Sequence, residues 1–432
     1  MKFLSTDYMQ KFRCLGSECE DTCCKNWTVK IDQTHFAALQ RLSEKHPELS
    51  RIVSESVHRL GSQSEDNAYA SIEMDEDGFC PFLDESQLCR IQTAGGFEAL
   101  GNTCTFYPRV LYRIDDMIEV AGALSCPEVV RGCLSSENRP GLVEVSENIL
   151  PSPPGTAIVH SIDTQTASTY ERLFPVIRQY FTQLAFDPML TCKQKMYMLC
   201  YAGQRFSANY HNECGEEAEV IVHNELQRLS SREIRPSLLK RFEEFADNEK
   251  LGLITIQSIF LIRSQHYQNE PLTPYIRDII NSYIIELDSD NPFTTEIDGL
   301  YSIYHRRKKA ILDIAKSQIE EYLCRHLQNC LLREWYIRFP DPFGYMMMLC
   351  VRHAMLRFLL YSHPSIYRWC LEDQEHDEET LHKVIEELSV EMLFLFSRSI
   401  EHDMTFLQNI YSALITEDMM ELNTALCLLK GI

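Results

Sequence analysis

The sequence predicts a mainly α protein in which an irregular, cysteine-rich N-terminal domain precedes an all-helical C-terminal domain. Three observations predict it. Nine of the 17 cysteines fall within the first 133 residues, most of them beside turn-forming residues. Past about residue 165, apolar residues recur at helical spacing without an alternating strand pattern. Between these regions "SSENRPGLVEVSENILPSPPGT", Ser135 to Thr156, carries Pro151, Pro153 and Pro154 among small polar residues, which predicts a linker or crossing segment. The predicted organisation is therefore 1–134 cysteine-rich, 135–164 linker and 165–432 all-helical.

The N-terminal part opens its cysteine pattern with "FRCLGSECEDTCCKNW", Phe12 to Trp27, which holds Cys14, Cys19, Cys23 and Cys24. Cys80 follows "DEDGF" and precedes Pro81, Cys89 ends "DESQLC", Cys104 follows Gly101 and Asn102, and Cys126 precedes Pro127. Such irregular loops let successive side chains converge on one point. A metal needs this, because deprotonated sulfur has to arrive from several directions. The start of the chain lacks the apolar run of a signal peptide, and no apolar stretch is expected to reach the roughly 18 residues that span a bilayer. A cytoplasmic protein without membrane insertion is thus expected. In that compartment thiols stay reduced, so a disulfide framework is a poor account of so many cysteines.

No C-x2-C knuckle occurs, which disfavours the common zinc ribbon and thioredoxin chemistry. All-thiolate sites suit zinc or iron–sulfur clusters. Cys14, Cys19, Cys23, Cys24, Cys80, Cys89, Cys104 and Cys126 make eight candidate metal ligands, enough for two cubane clusters or for one with spare thiols. Spacing leaves the metal and the nuclearity open. The later cysteines, Cys192, Cys200, Cys214, Cys324, Cys330, Cys350, Cys370 and Cys427, lie largely among apolar neighbours and are expected to act as small hydrophobes.

In the helical part, Leu238, Phe242 and Phe245 fall on one face, as do Leu312, Ala315, Ile319 and Tyr322, and Ile385, Leu388, Met392 and Leu395. Thr273 with Pro274 and Asp341 with Pro342 read as helix starts. Met346, Met347 and Met348 read as core filler. "EHDEE", Glu375 to Glu379, reads as a solvated helix start. The formal net charge of -22 repels phosphate backbones and excludes nucleic acid as an expected partner. The basic run "YHRRKK", Tyr304 to Lys309, is expected to be a solvated helix face. The Walker, dinucleotide, nucleophile-elbow and H-E-x-x-H motifs are all missing. Cys19-x3-Cys23 begins the C-x3-C-x2-C signature of radical S-adenosylmethionine enzymes, but Asn26 stands at its third position.

Four blocks carry a resemblance: "CLGSECEDTCCKNWTVKID" (Cys14 to Asp32), "CPFLDESQLCRIQ" (Cys80 to Gln92), "CTFYPR" (Cys104 to Arg109) and "LSCPE" (Leu124 to Glu128). A looser helical block, "EEYLCRHLQNCLLREWYIRFP" (Glu320 to Pro340), accompanies them. Together they resemble the flagellin lysine-N-methylases of motile bacteria. The resemblance implies a protein-lysine N-methyltransferase that moves a methyl group from S-adenosylmethionine to surface lysines of flagellin. It also implies an iron–sulfur cluster, of the 4Fe–4S kind, drawing on the eight cysteines above. Trp27 and Arg109 then become candidate cofactor-binding residues, Tyr107 and Glu128 candidate catalytic ones. Cys133 lies outside the motif. The competing expectation is a non-enzymatic zinc- or iron-binding or redox-sensing module with a helical partner-binding domain.

Overall fold

The structure, a computed structural model, describes residues 1–61, 68–135, 137–138, 141–210, 216–231, 233–246, 248–266, 271–287, 297–371 and 377–432. Two compact units emerge: one of residues 1–132 and 142–162, the other of 133–141 and 163–432. Cys214, and Glu375 and His376 of the acidic run, lie outside the described residues.

The first unit is more regular than its sequence suggested. It contains β1 (Lys2–Thr6), β2 (Val29–Ile31), α1 (Gln33–Ser43), α2 (Pro47–Ser56), β3 (Val57–Arg59), β4 (Ala70–Ile72), β5 (Arg109–Ile114) and β6 (Met117–Gly122). Helix α3 (Pro127–Leu134), β7 (Leu142–Val145) and β8 (Ile158–Ile162) follow. Five strands form a mixed sheet in the order β7-β1-β6-β5-β8, and β2, β4 and β3 form a small antiparallel sheet.

Strands β5 and β6 make a hairpin across Asp115 and Asp116, where Asp115 takes the positive φ of 49° that a tight turn demands. The segment expected as a linker is partly strand: β7 pairs antiparallel with β1 and β8 parallel with β5. Its apolar residues supply the physical reason, since Val145, Ile149, Leu150, Ala157 and Ile158 pack on the core of Phe3, Phe106, Leu111, Ile118 and Val120. A second core, built on Val29, Ile31, Phe36, Leu39, Ile72 and Phe82, sits under the small sheet and α1.

The second unit is helical throughout its described residues past 165. It comprises α4 (Thr169–Ala185), α5 (Cys192–Tyr210), α6 (Glu216–Leu229), α7 (Ile234–Glu244), α8 (Glu249–His266) and α9 (Thr273–Leu287). The long α10 (Ile297–Arg333), which breaks at Ala315, is followed by α11 (Pro342–Ser362), α12 (Pro364–Leu371), α13 (Glu378–Phe396), α14 (Met404–Thr416) and α15 (Leu422–Gly431).

Sequence caps explain several starts. Ser168 and Glu171 form a reciprocal capping box at α4, and Asp341 accepts from the Gly344 amide ahead of Pro342 at α11. Helix α9 begins at Thr273 itself, one residue earlier than expected.

Helix α11 is buried along its whole length, Met346, Met347 and Met348 included. Its 21 residues are long and apolar enough to cross a membrane by length and composition, contrary to the expectation that no stretch would be. Their burial within the unit identifies a central core helix. The YHRRKK run also departs from expectation. Tyr304, Arg307 and Lys308 are buried; Arg307 pairs with Glu286, and Lys308 lies 2.9 Å from Glu249. Helical geometry points every third or fourth residue of that run inward, where carboxylates on α8 and α9 neutralise it.

Candidate functional site

The cysteine loops of the first unit are built by a repeated turn. In "DEDGFC", Asp75 Oδ1 accepts from the amides of Asp77 at 3.0 Å and Phe79 at 2.8 Å. In "DESQLC", Asp84 Oδ1 accepts from Ser86 at 2.8 Å and Leu88 at 2.9 Å. Each turn places a residue of positive φ at its fourth position, Gly78 at 81° and Gln87 at 60°, and a cysteine at its sixth, Cys80 or Cys89. Aspartate suits this role because its short carboxylate satisfies nearby amides that no ladder supplies. Gly78 is required for space as well. A Cβ there would meet Asn26 Oδ1 at 2.0 Å, while its carbonyl accepts from the Asn26 amide at 2.9 Å. That contact holds the Cys23–Cys24 loop against the Cys80 loop, and the Cys80 amide donates to the Cys24 carbonyl at 2.9 Å.

The eight predicted cysteines fall into two overlapping groups. Cys24, Cys80, Cys89 and Cys104 pack on one core together with Trp27. Cys23 lies within electrostatic reach of Cys80, Cys89 and Cys104, and its Sγ is 4.0 Å from that of Cys24. Cys14, Cys19, Cys23 and Cys126 form the other group: Cys14 and Cys23 act on Cys19, and Cys19 and Cys23 act on Cys126. The adjacent pair Cys23 and Cys24 thus stands where the groups meet.

Burial, and after it the neighbouring thiols and acids, pushes Cys19, Cys80, Cys89, Cys104 and Cys126 upward, Cys80 to about 11 and Cys126 to about 12. Backbone amides oppose the shift by donating to sulfur: that of Phe82 to Cys80, those of Ile91 and Gln92 to Cys89, and those of Glu128 and Val129 to Cys126. Crowded sulfur acceptors that receive amide hydrogen bonds fit a thiolate-bound metal or cluster, whose positive charge offsets the repulsion. Among the described residues, Trp27 adds a buried indole N–H without a hydrogen-bond acceptor beside that core.

Tyr107, Arg109 and Glu128 line the same region with their polar atoms engaged. The Trp27 and Tyr107 rings lie 5.3 Å apart, and the Tyr107 hydroxyl is 3.2 Å from Ser125 Oγ. Arg109 donates to the Ile149 carbonyl at 3.1 Å, lies over Phe12, and is within reach of Cys14. Glu128 is 3.2 Å from Arg131, which also pairs with Glu20. Cys133 donates to the Arg325 carbonyl on α10 at 3.8 Å.

Sequence reading missed a second concentration of polar groups inside the helical unit, centred on the block Glu320 to Pro340. His326 Nε2 lies 2.9 Å from Glu401 Oε1, Arg333 donates to Glu401 Oε2 at 2.9 Å, and Ser397 donates to the same oxygen at 2.8 Å. Arg352 grips Glu334 through two hydrogen bonds of 2.9 and 2.7 Å. A neighbouring set joins Arg357 to Glu320 by two bonds of 2.7 Å, with the Tyr361 hydroxyl at 2.8 Å. Burial works against the Glu320 carboxylate, yet Arg357 and Tyr361 hold it down to about 2.

Among the described residues, His326, Cys330 and Glu401 are the one set of three His, Cys, Asp or Glu donors lying within 4.8 Å of each other. Arg333 and Arg352 already neutralise Glu401 there, which makes this an ion-paired hub rather than a cation site. The signal in the sequence was the block itself, where Glu320, Arg325, His326, Arg333 and Glu334 put charge on every face of a helix.

A sheet-containing unit rich in loop thiols, joined to a helical unit with a polar core, defines the class: a cysteine-rich, mainly α protein with a candidate site in its N-terminal loops. Residues 178–428 match the family described as the FliB lysine N-methylase C-terminal domain, and the chain belongs to the FliB lysine N-methylase family. It is 31% identical over 144 residues to a lysine-N-methylase of Salmonella typhimurium, which covers 33% of this chain and 34% of that protein. It is 30% identical over 138 residues to the flagellar biosynthetic protein FliU of Salmonella muenchen, 32% of this chain and 79% of that protein. The matched stretch spans about a third of the length of the first of these relatives. No solved structure matches.

Proposed function

We propose that the chain is a protein-lysine N-methyltransferase of the cytoplasm that transfers methyl from S-adenosylmethionine to surface lysines of flagellin, with an iron–sulfur cluster held in its N-terminal unit. The observation that carries this reading is the family match across residues 178–428, which includes the polar helical block. The relatives named lysine-N-methylase and flagellar biosynthetic protein point to the same chemistry and the same substrate system.

The thiol grouping supports a cluster over a single tetrahedral ion. Zinc at about 2.3 Å from each of four sulfurs would draw them to roughly 3.8 Å of each other. Among the described residues no three of the N-terminal thiols gather within 4.8 Å. Cys24, Cys80, Cys89 and Cys104 would hold one centre; Cys14, Cys19, Cys23 and Cys126 would supply a second or stand in reserve. Bound there, the cluster would supply positive charge and a redox-active centre to the cysteine loops.

Methylation needs an unprotonated amine. At pH 7 removing the proton from a free lysine costs roughly 4.6 kcal/mol, given its ordinary pKa of about 10.4. Desolvation of the substrate amine lowers that cost, and a carboxylate or phenolate beside it takes the proton. Glu128 would have to part from Arg131, and Tyr107 from Ser125, to serve. Trp27 and the rings around it offer faces for a sulfonium cation.

The deciding experiment incubates anaerobically purified protein with flagellin and methyl-labelled S-adenosylmethionine, with and without reconstitution by iron and sulfide. Label on flagellin lysines that requires the reconstituted protein supports the whole reading. Label independent of iron keeps the methylase and removes the cluster from its chemistry. An unlabelled flagellin with zinc in the protein favours the non-enzymatic metal module instead.

A further inference from the structure

A cleft of about 470 Å³ opens beside the cysteine loops of the first unit. Helix α2 contributes Glu48, Arg51, Ile52 and Glu55 to its walls, and the loop through Cys80 and Cys89 contributes Pro81, Leu83 and Arg90. Sites for small molecules run from about 300 to 1,000 Å³, so the cleft has room for one.

Local structure explains why these residues meet. Residues three, four and seven apart share a helix face, which puts Glu48, Arg51, Ile52 and Glu55 on one side of α2. On the loop, the Asp84 turn folds the chain back on itself. Leu83 and Cys89 pair as a bridge, and the Arg90 amide donates to the Phe82 carbonyl at 2.9 Å. Pro81 and Arg90 directly follow Cys80 and Cys89 in the chain. Ile52 and Leu83 pack on the same core as Cys24, Cys80, Cys89, Cys104 and Trp27, so the cleft adjoins that sulfur group.

The charges say what the cleft can hold. Arg51 stands three residues after Glu48 and four before Glu55, spacings at which helix ion pairs ordinarily form. Among the described residues it pairs with neither, and Glu48, Glu55 and Arg90 also lack an ion pair or a side-chain hydrogen bond. Two unpaired guanidinium groups disfavour a bare cation such as a lysine side chain, and two unpaired carboxylates disfavour a phosphate. A ligand carrying both signs close together satisfies the set. Arginine grips a carboxylate through two parallel hydrogen bonds, and a carboxylate accepts from an ammonium. Ile52, Pro81 and Leu83 add apolar surface for a short aliphatic stem. This donor set fits an α-amino acid zwitterion.

We propose that the cleft is the site of the methyl donor, with Arg51 and Arg90 holding the α-carboxylate of S-adenosylmethionine and Glu48 and Glu55 its α-ammonium. The ligand's identity rests on the methylase reading; its place rests on the cleft. Donor recognition then falls in part to α2, a helix that carries no cysteine and lies outside the four motif blocks.

Equilibrium dialysis of the full-length, iron-reconstituted chain tests this without flagellin and without turnover. The probes are labelled S-adenosylmethionine and methylthioadenosine, which lacks the amino-acid end. The wild type should bind the donor about tenfold or more tightly than methylthioadenosine, the factor expected from a single charged hydrogen bond. Arg51→Ala with Arg90→Ala, and separately Glu48→Gln with Glu55→Gln, should each abolish that preference while methylthioadenosine binding and iron per chain stay unchanged. Arg90→Lys should retain part of it. Should the arginine variant lose iron because Arg90 adjoins Cys89, the glutamate variant decides, since both of its positions are exposed on α2. A wild type that binds the two compounds equally, or variants that keep the preference, would overturn the cleft as the donor site and leave the methylase reading standing. A wild type that binds neither compound would overturn both.

Discussion

The two units of this protein handle buried reactive groups in opposite ways. In the N-terminal unit, sulfurs are crowded beside other sulfurs and acids, and burial drives Cys80, Cys104 and Cys126 toward the protonated form. In the helical unit, buried charges arrive with partners: Glu401 with Arg333 and His326, Glu334 with Arg352, Glu320 with Arg357. In the proposed reading the first arrangement is completed by a centre added from outside the chain, whereas the second carries its counter-charges within it. Loops leave sulfurs free to face a common point. Packed helices instead meet side chain to side chain, and each buried charge there must find its counterpart.

The largest expected effect would break this contrast at its root. Removing metal with an anaerobic chelator should leave the N-terminal unit open to protease at its cysteine loops while the helical unit stays resistant, as metal-dependent loop domains lose most of their folding energy with the ion. Fragments mapped by mass spectrometry check it; equal resistance of both units would show that the thiols need no added centre. Next comes Glu401→Ala, which leaves Arg333 and His326 buried without their anion. It should cost about 3–5 kcal/mol, read as a lowered denaturant midpoint with iron content per chain unchanged.

Acidification sharpens the same comparison. Glu320 is held below its ordinary 4.5, so the stability it lends is fully present above about 4.5 and is lost as pH falls toward 2. Burial lowers His363 from 6.5 to about 4, so its unfavourable protonation begins to weaken the fold below pH 6.5. The helical unit should therefore lose stability in two steps on acidification, the carboxylate step amounting to about 3 kcal/mol. A denaturation series from pH 7 to pH 2 measures it, and a flat profile below 4.5 would contradict the Glu320–Arg357 pairing. The smallest effect belongs to Gly78→Ala, which places a Cβ on Asn26 in a positive-φ turn. It should destabilise the N-terminal unit by about 2 kcal/mol and slow iron uptake, while Gly141→Ala, at φ 103° with open space around it, should leave iron uptake unchanged.

Much of the candidate site was legible because cysteines beside turn-forming residues carry their meaning in residue type alone. The family was legible for the same reason, and the match over 178–428 establishes it from the helical side. The twin turns of "DEDGFC" and "DESQLC" could have been read as well, since both set an aspartate five residues before a cysteine. What escaped notice was the strand character of 142–162, whose prolines and serines mask apolar residues that pack on a sheet. Cys324 escaped too: "EYLCRHL" looks apolar until a second helix brings Lys195 to it.

By itself the sequence determined the helical body, the thiol-rich loops and the family, because periodicity, turn chemistry and residue type act over a few neighbours. Only the tertiary structure decided which sulfurs group together, which arginine neutralises which carboxylate, and that Lys195 faces Cys324. The Arg352–Glu334 and Lys195–Cys324 partners lie 18 and 129 positions apart, and pairings across such separations are set by how the elements pack, which no local pattern encodes.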